Sequence, residues 1–351
     1  MKILFLTPWY PSDKDAMSGL FVQKHVEAVR AQGCDVRVIF AHKWRDSWQQ
    51  WIALRREGWM PDVVQLNVIQ KQGLLALWLK LRYGIPYAII EHWSGYLPEN
   101  GQFMQMSWIK RTVYRYIAKK ASTILTVSNR HAEAMKACKM RNKRWERINN
   151  VVDDFFYGQR TASLKDKGQR TKMLLHVSCF DERAKNVKGL LRAAKMLSEK
   201  RQDWHLVLVG TGVNYGEVRH FAKSLNLPEG LLEWTGELTP REVANEFDQA
   251  DIFILPSNYE NAPVVISESL VKGVPIVSTT VGGIPEMVNK NSGILVTPRD
   301  NKELASTIDL MLDTYQNYDR ATIRKEGKQY SFEVVGSKLK AIYEELCGIA
   351  S

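Results

Sequence analysis

Twice along this chain, short apolar runs alternate with longer stretches of helical periodicity, and a polar segment separates the two series. A short aliphatic run closed by Gly or Pro reads as a buried strand, and apolar residues at i, i+3, i+4 and i+7 read as a helix face. The first series opens with a strand at Ile3–Thr7 that meets Pro-Trp-Tyr-Pro at once. Gly19 then leads a helix over Leu20–Gln32 with Val22, Val26 and Val29 on one side, Gly33 closes it, and Asp35–Ala41 is the next strand. Val63–Asn67, Tyr87–Glu91 and Thr123–Ser128 are further strands. After a polar linker around Tyr157–Lys172 the alternation restarts, with strands at Met173–Ser178, Trp204–Gly210, Leu232–Gly236, Asp251–Pro256, Ile276–Thr279 and Gly293–Val296. The helices between them fall at Lys188–Lys200, Gly216–Leu225 and Pro240–Gln249. Such steps build parallel sheets covered by helices, so the expected class is α/β, two Rossmann-like doubly wound domains facing a central cleft. The domains are expected at 1–160 and 171–331, with a terminal helix, about Phe332–Cys347 within 332–351, packing back toward the N-terminal domain.

Charge is distributed unevenly over this framework. Residues 1–150 carry 24 basic and 11 acidic side chains, whereas 201–351 carry 14 and 21. The net charge of +11 therefore belongs to the N-terminal half, which implies an anionic partner there: nucleic acid, a membrane surface or a phosphorylated substrate. Apolar residues at 45% and charged residues at 25% exclude a disordered chain. No apolar run approaches the length of a membrane span, and Leu74–Leu79 has the length of a core segment. The N-terminal run is too short for a signal peptide, so the expected location is the compartment of synthesis. Cys34, Cys138, Cys179 and Cys347 show neither CxxC nor zinc-ligand spacing and read as separate reduced thiols of a cytoplasmic protein.

The most informative stretch is Pro-Ser-Asn-Tyr-Glu-Asn-Ala-Pro-Val-Val-Ile-Ser-Glu at 256–268, continuing to Gly-Val-Pro-Ile-Val at 273–277. A strand ends at Pro256, a loop carries Glu260, and Pro263 sits at the first position of a helix that Gly273 ends. Glu260 in the loop and Glu268 in the second helical turn can both face the crevice at the strand C-termini. The free N–H groups of Val264 and Val265 offer an anion site at the helix start. Carboxylates that accept from hydroxyls, beside a helix end that faces phosphates, suit a sugar nucleotide.

This segment resembles the Glu-x7-Glu signature of the retaining glycosyltransferases of family 4, also called group 1, and the resemblance runs through most of the chain. It implies the two-Rossmann GT-B fold. Ser178–Asn186 is similar to the family's loop with an Arg and, six residues later, a Lys on the donor diphosphate. Val209–Gly212 resembles its Gly-x-Gly turn, Gly282–Glu286 its Gly-Gly-x-Pro-Glu loop and Asn150–Asp153 its Asn-Gly-Val-Asp. In the first domain, Gly19 stands at the phosphate-facing Gly-Gly turn and Glu91-His92-Trp93-Ser94 at the active-site His. There are two departures. Cys179 occupies the place of the phosphate Arg, leaving Lys185, with Arg183 as a substitute, to neutralise the diphosphate; and only one glycine stands in the first loop, after Ser18.

The resemblance implies a metal-independent, retaining hexosyltransferase that moves a sugar from a nucleoside-diphosphate sugar, bound as substrate with no cofactor, to a glycan or lipid-linked acceptor. In it, His92, Lys185 and Glu260 are the catalytic residues. Gly19, Arg183, Lys185, Glu260, Asn261, Ala262, Pro263, Val264, Val265 and Glu268 bind the donor. No Asp-x-Asp is present, in agreement with a metal-free reaction.

Between Lys110 and Arg147 lie twelve basic residues and two acids, and Phe103–Arg111 places large apolar side chains beside them. This pattern suits an anionic membrane interface as well as a solvated basic helix, and Trp93, Trp108, Lys110 and Arg111 are assigned to the acceptor or membrane side. Trp44, Trp48 and Trp51, spaced along one helix face, fit core packing, with acceptor stacking or membrane contact as the alternative. The expected protein is cytoplasmic, peripheral on the inner face of the cell membrane, and extends a surface polysaccharide or glycolipid. A nucleotide-sugar epimerase or a sugar phosphorylase of the same fold is the alternative enzyme. A nucleic-acid-binding protein is the remoter one, since the sequence carries no RNA-binding signature or recognition helix, and no GxGxxG follows the first strand as a dehydrogenase would need.

Overall fold

The structure is a computed structural model that describes residues 1–13, 15, 17–158 and 171–349. The chain divides into two compact units, Met1–Val151 with Gln329–Ser351, and Val152–Lys328. Most of the linker expected at Tyr157–Lys172 falls in 159–170, outside the described residues.

The first unit contains β1 (Lys2–Thr7), α1 (Leu20–Ala31), β2 (Asp35–Phe40), α2 (Trp44–Arg56), β3 (Val63–Asn67), α3 (Gly73–Tyr83) and β4 (Tyr87–Glu91). It continues with α4 (Gln102–Gln105), α5 (Trp108–Lys120), β5 (Thr123–Thr126), α6 (Asn129–Ala137) and β6 (Trp145–Arg147). Its strands form one sheet in the order β2-β1-β3-β4-β5-β6, and each pair is parallel. Every residue of β3 and β4 is buried, as expected of central parallel strands covered on both faces, and β4 reads as an apolar run closed by Glu91.

The second unit starts with β7 (Lys172–Val177), α7 (Glu182–Lys185), α8 (Val187–Ser198), β8 (Trp204–Val209), α9 (Tyr215–Ser224), β9 (Leu232–Gly236) and α10 (Pro240–Gln249). It ends with β10 (Ile252–Leu255), α11 (Val264–Lys272), β11 (Ile276–Thr279), β12 (Gly293–Val296), α12 (Asn301–Thr314) and α13 (Arg320–Gly327). The terminal helix α14 (Phe332–Leu346) belongs to the first unit. The second sheet, also parallel, runs β12-β11-β10-β7-β8-β9. Strand order reverses between β1 and β3 in one sheet and between β7 and β10 in the other, and ligands of such folds bind outside the strand C-termini at these points.

Two boundaries differ from the sequence reading. The division falls after Val151 and not at 160, because the turn Asp154–Phe156 packs on the second unit: the buried Phe156 ring lies 6.3 Å from Phe247, with the Lys272 ammonium 5.9 Å from its centre. The return falls after Lys328, ahead of the helix that begins at Phe332. That helix packs on α1: a β-carbon on Gly336 would lie 2.4 Å from the Ala28 carbonyl oxygen, and the Tyr343 hydroxyl donates to Gln65 Oε1 of β3 at 2.8 Å.

The right-handed crossovers put α2, α3 and α5 on the face opposite α1. Leu75, Ala76 and Leu79 of α3 are buried as a core run should be, but Leu74 is 40% exposed. A helix turns by about 100° per residue, so six consecutive apolar residues cannot all face one sheet. The tryptophans of α2 behave alike. Trp51 is in the core, Trp48 is half-buried, and Trp44 is exposed and stacked on Trp48 at 5.9 Å. The four cysteines carry free thiols, and Cys179 is exposed. Among the described residues, no helix is long and apolar enough to cross a membrane.

Candidate functional site

In the second unit the loops after β7 and β10 meet at the switch point. The β7 loop leads into the single-turn helix α7, started by Asp181, whose Oδ1 accepts from Arg183 N, and ended by Asn186 in the left-handed region at φ 52°. Asn186 Nδ2 donates to the Pro256 carbonyl at 3.2 Å, while Asn258 donates through its amide to Ala184 O and through Nδ2 to Arg183 O. These bonds lock the two loops together. They bring Lys185 Nζ to 2.5 Å from Glu260 Oε1, which also accepts from Ser257 Oγ at 2.8 Å. Burial alone would lower the pKa of Lys185, but the Glu260 carboxylate, with Cys179 and Asp181 beside it, outweighs burial and holds the ammonium above its ordinary value. Lys185 is therefore a fixed, permanently charged cation.

Glycines hold Glu260 from the other side. Gly282 has φ 54°, and a β-carbon there would lie 1.6 Å from the Glu260 carbonyl oxygen, while Gly283 N donates to Asn261 O at 2.9 Å. Gly210 and Gly212 play the same part for the β7 loop, since β-carbons on them would fall 2.0 Å from Ser178 O and 2.6 Å from Phe180 N. Both glycine motifs thus act first by admitting backbone against backbone. Buried His176 ties the two strands: Nδ1 faces the Ile254 carbonyl at 2.9 Å, so it carries the proton, and Nε2 accepts from Ser178 Oγ at 2.8 Å. Burial lowers this imidazole to about 4, so it stays neutral.

Pro263 precedes the first residue of α11, one position earlier than the sequence suggested. The amides of Val264 and Val265 come before the first intrahelical donor, Ile266 N, and are the open N–H groups of that helix end. Asn261 and Pro263 are buried in the loop, with Ala262 partly exposed. Glu268 lies in the second turn of α11, partly buried. Burial pushes its carboxyl up to about 8, and the Asp153 carboxylate adds to this, so it is largely protonated at neutral pH and can both donate to and accept from hydroxyls. Arg183 and Cys179 are exposed near this cluster.

In the first unit, the strand-end residue Glu91 organises the loop that carries His92. It is fully buried and accepts from the amides of Ile69, His92 and Trp93, each at 3.0 Å, and from the Tyr96 hydroxyl at 3.4 Å. Burial pushes the carboxyl up to about 7 against these donors. The His92 ring packs 4.3 Å from Phe21 and 5.6 Å from His25. Burial, with His25 and His131 nearby, holds His92 well below its ordinary pKa, so it is a neutral hydrogen-bonding imidazole and not a cation. His25 and His131, each lowered by burial to about 4, give Nε2 to the carbonyls of Asn149 and Trp93.

Gly19 has φ 69° and lies so close to the Trp9 carbonyl carbon that a β-carbon would stand 2.3 Å away; its freedom is needed for loop packing before any ligand arrives. Trp93 is not an open platform. Its ring lies across Gly95 and meets Tyr96 edge-on at 5.2 Å. Trp108 and Lys110 are exposed on α5 beside the partly covered Arg111.

Sequence reasoning gave no role to Glu91, His176 or Asn67. Asn67 ends β3 at the switch point, buried, with neither side-chain polar atom partnered, and is followed by Val68 at the unusual φ of 62°. A polar residue that closes a short, mainly apolar strand was the signal available for Glu91 and Asn67.

Residues 160–330 match the family described as glycosyl transferases group 1, and residues 40–150 match the glycosyl transferase 4-like domain. The N-acetyl-alpha-D-glucosaminyl L-malate synthase of Bacillus anthracis is 28% identical over 214 residues, which cover 58% of this chain and 55% of that protein. The chain thus spans about half the length of that relative. The alpha-D-kanosaminyltransferase of Streptomyces kanamyceticus is 22% identical over 75% of this chain and 71% of its own. The structure of Anabaena HepE in complex with UDP-glucose superposes with a TM-score of 0.77 at 18% identity, covering 98% of this chain and all of that one. With the two family matches spanning most of its length and a fold shared with GT-B enzymes, the chain belongs to the group 1 glycosyltransferases.

Proposed function

We propose that the protein transfers a hexosyl group from a nucleoside-diphosphate sugar to a glycan or lipid-linked acceptor, with retention of configuration, in the synthesis of a surface polysaccharide or glycolipid. The observation that carries this reading is the Lys185–Glu260 pair at the switch point of the second sheet, beside the open amides of α11. The complex of HepE with UDP-glucose supports the donor class.

In this reading the donor diphosphate lies against Lys185, Arg183 and the amides of Val264 and Val265, with Asn261–Pro263 shaping the pocket. Glu260 accepts from hydroxyls of the donor sugar, and Glu268 from those of the ribose. The anomeric carbon–phosphate oxygen bond breaks as the acceptor oxygen bonds to the same face of that carbon. The departing phosphate oxygen takes the acceptor proton. Lys185 meets the charge that grows on the leaving diphosphate, an interaction strengthened in the transition state. Arg183 is the substitute for the phosphate-binding arginine whose place Cys179 occupies. His92, neutral, hydrogen-bonds the reacting sugar or the acceptor. The reaction is proposed to need no metal, which turnover undiminished by a chelator would support. The acceptor is proposed to be membrane-resident, with the protein peripheral on the cytoplasmic face.

The test is product analysis with an anomerically defined donor. Product of the same configuration supports the reading, and inverted product or no transfer to any glycan or glycolipid acceptor overturns it.

A further inference from the structure

We infer that the face of the first unit built by α3 and α5 is the surface on which the protein rests on an anionic lipid bilayer. The inference rests on the reading of the acceptor as membrane-resident and adds the residues that meet the lipid.

The structure records thirteen exposed large hydrophobic residues among the described ones. Seven of them lie on α3, α4 and α5: Leu74, Leu81, Tyr83, Met104, Trp108, Ile109 and Tyr116. Among these seven the most exposed are Trp108 at 70% and Leu81 at 68%. They are organised. On α3, Leu74, Leu77, Trp78 and Leu81 follow the i, i+3, i+4, i+7 spacing of one helix side, and that side points away from the core residues Leu75, Ala76 and Leu79. On α5, Ile109, Val113 and Tyr116 form a second stripe, while Tyr114, Ile117 and Ala118 face inward. The two helices are neighbours: Lys80 Nζ donates to the Lys120 carbonyl at 2.8 Å, and Gly73 packs on the Ile117 side chain. Two outward apolar stripes therefore lie side by side on one flank of the sheet.

Charge decides what covers this face. Residues 63–90 and 101–132 contain no Asp or Glu, yet they carry Lys71, Lys80, Arg82, Lys110, Arg111, Arg115, Lys119, Lys120 and Arg130. Lys110, Lys119 and Lys120 are exposed on the helix that carries Trp108 and Ile109. A second copy of the chain would bring equal positive charge against it, whereas an anionic lipid surface complements both the cations and the apolar side chains. The strands here all run parallel, so the helices between them run back. The N-terminal ends of α3 and α5, with Leu74, Trp108 and Ile109, lie on the edge of the sheet where Glu91 and His92 stand. A lipid-linked acceptor held in that bilayer would present its head group near this edge.

Flotation of the full chain with vesicles, without substrate, tests this directly. The expected result is partitioning onto equimolar phosphatidylcholine and phosphatidylglycerol at least about tenfold stronger than onto phosphatidylcholine alone, falling as salt rises. Trp108→Glu with Ile109→Glu, and separately Leu81→Glu, should each cut partitioning about tenfold or more, with unchanged melting temperature. Lys119→Glu with Lys120→Glu should flatten the salt dependence. Equal partitioning onto both vesicle types, wild-type partitioning by all three variants, or a Trp108-dependent dimer with no lipid binding would each overturn the inference. Donor binding and transfer to a detergent-dispersed acceptor, measured in parallel, report on the transferase reading alone.

Discussion

Lys185→Met removes the ammonium paired with Glu260 at the second unit's switch point while keeping side-chain volume. Its cost can be worked from the surroundings. Glu260 keeps Ser257 Oγ as a partner but loses its ammonium, and side-chain exposures of 15% and 11% put the pair between surface and core. Removing one partner of a fully buried pair costs about 3–5 kcal/mol and an exposed pair is worth about 0–1, so roughly 2 kcal/mol is expected here. For a unit of this size that lowers the melting temperature by about 4–8 °C. Catalysis should suffer more. A lost transition-state charge contact of this kind costs about 2.7–4 kcal/mol, or 10²–10³ in kcat. Because the contact strengthens as the diphosphate leaves, donor affinity should fall less than kcat. The assay is steady-state transfer with donor titration, beside thermal unfolding of both proteins. A kcat within about threefold of wild type in a folded variant would refute the charge-clamp argument. Glu260→Ala should have comparable consequences for transfer, and the double variant should cost less than the sum, since each single change already breaks the pair.

Other expectations follow from the same geometry. Gly282→Ala forces a β-carbon onto the Glu260 carbonyl at a positive φ, and should destabilise by about 2–4 kcal/mol and reduce turnover by displacing Glu260; wild-type melting and activity would contradict that packing. Glu268, raised by burial and Asp153 to about 8, keeps a proton in the folded protein that the unfolded chain has released. Its contribution to stability is therefore present below about pH 4.5 and lost as pH rises through about 8, on the order of 2–4 kcal/mol. Glu268→Gln should thus gain stability relative to wild type across that window, and parallel pH–melting profiles would show the assignment to be wrong. His92→Ala should keep donor binding and lose transfer; with the imidazole held neutral, the rate should show no acid limb near pH 6.5 from this residue.

Much of the architecture was legible because the strands are short and bounded by turn residues, and β3, β4 and β11 are buried at every position. The bounds Val63–Asn67, Tyr87–Glu91, Leu232–Gly236, Ile276–Thr279 and Gly293–Val296 agree with the structure residue for residue. The region around Lys185 and Glu260 was legible because its backbone makes unusual demands, met by Asn186, Gly282 and the proline that leads α11, and such demands leave marks in sequence. Side-chain partnerships were harder to read. That Glu91 gathers three amides and a hydroxyl, or that His176 spans two strands, depends on residues distant along the chain. Burial misled where a continuous apolar run crossed a helix, as in α3, where half of it faces outward. The division after Val151 was missed because it is set by where Phe156 packs, which the polar composition near 160 does not mark.

In the proposed reading, Lys185, Glu260 and the start of α11 form a nucleoside-diphosphate-sugar site. Thermal unfolding across a panel of UDP-, GDP- and ADP-linked sugars tests it most directly. A true donor at about 100 times its Kd should stabilise the protein by about 2.7 kcal/mol, and Lys185→Met should reduce that gain. Failure of every nucleoside-diphosphate sugar to raise the melting temperature, or a shift of equal size in the variant, would contradict the account.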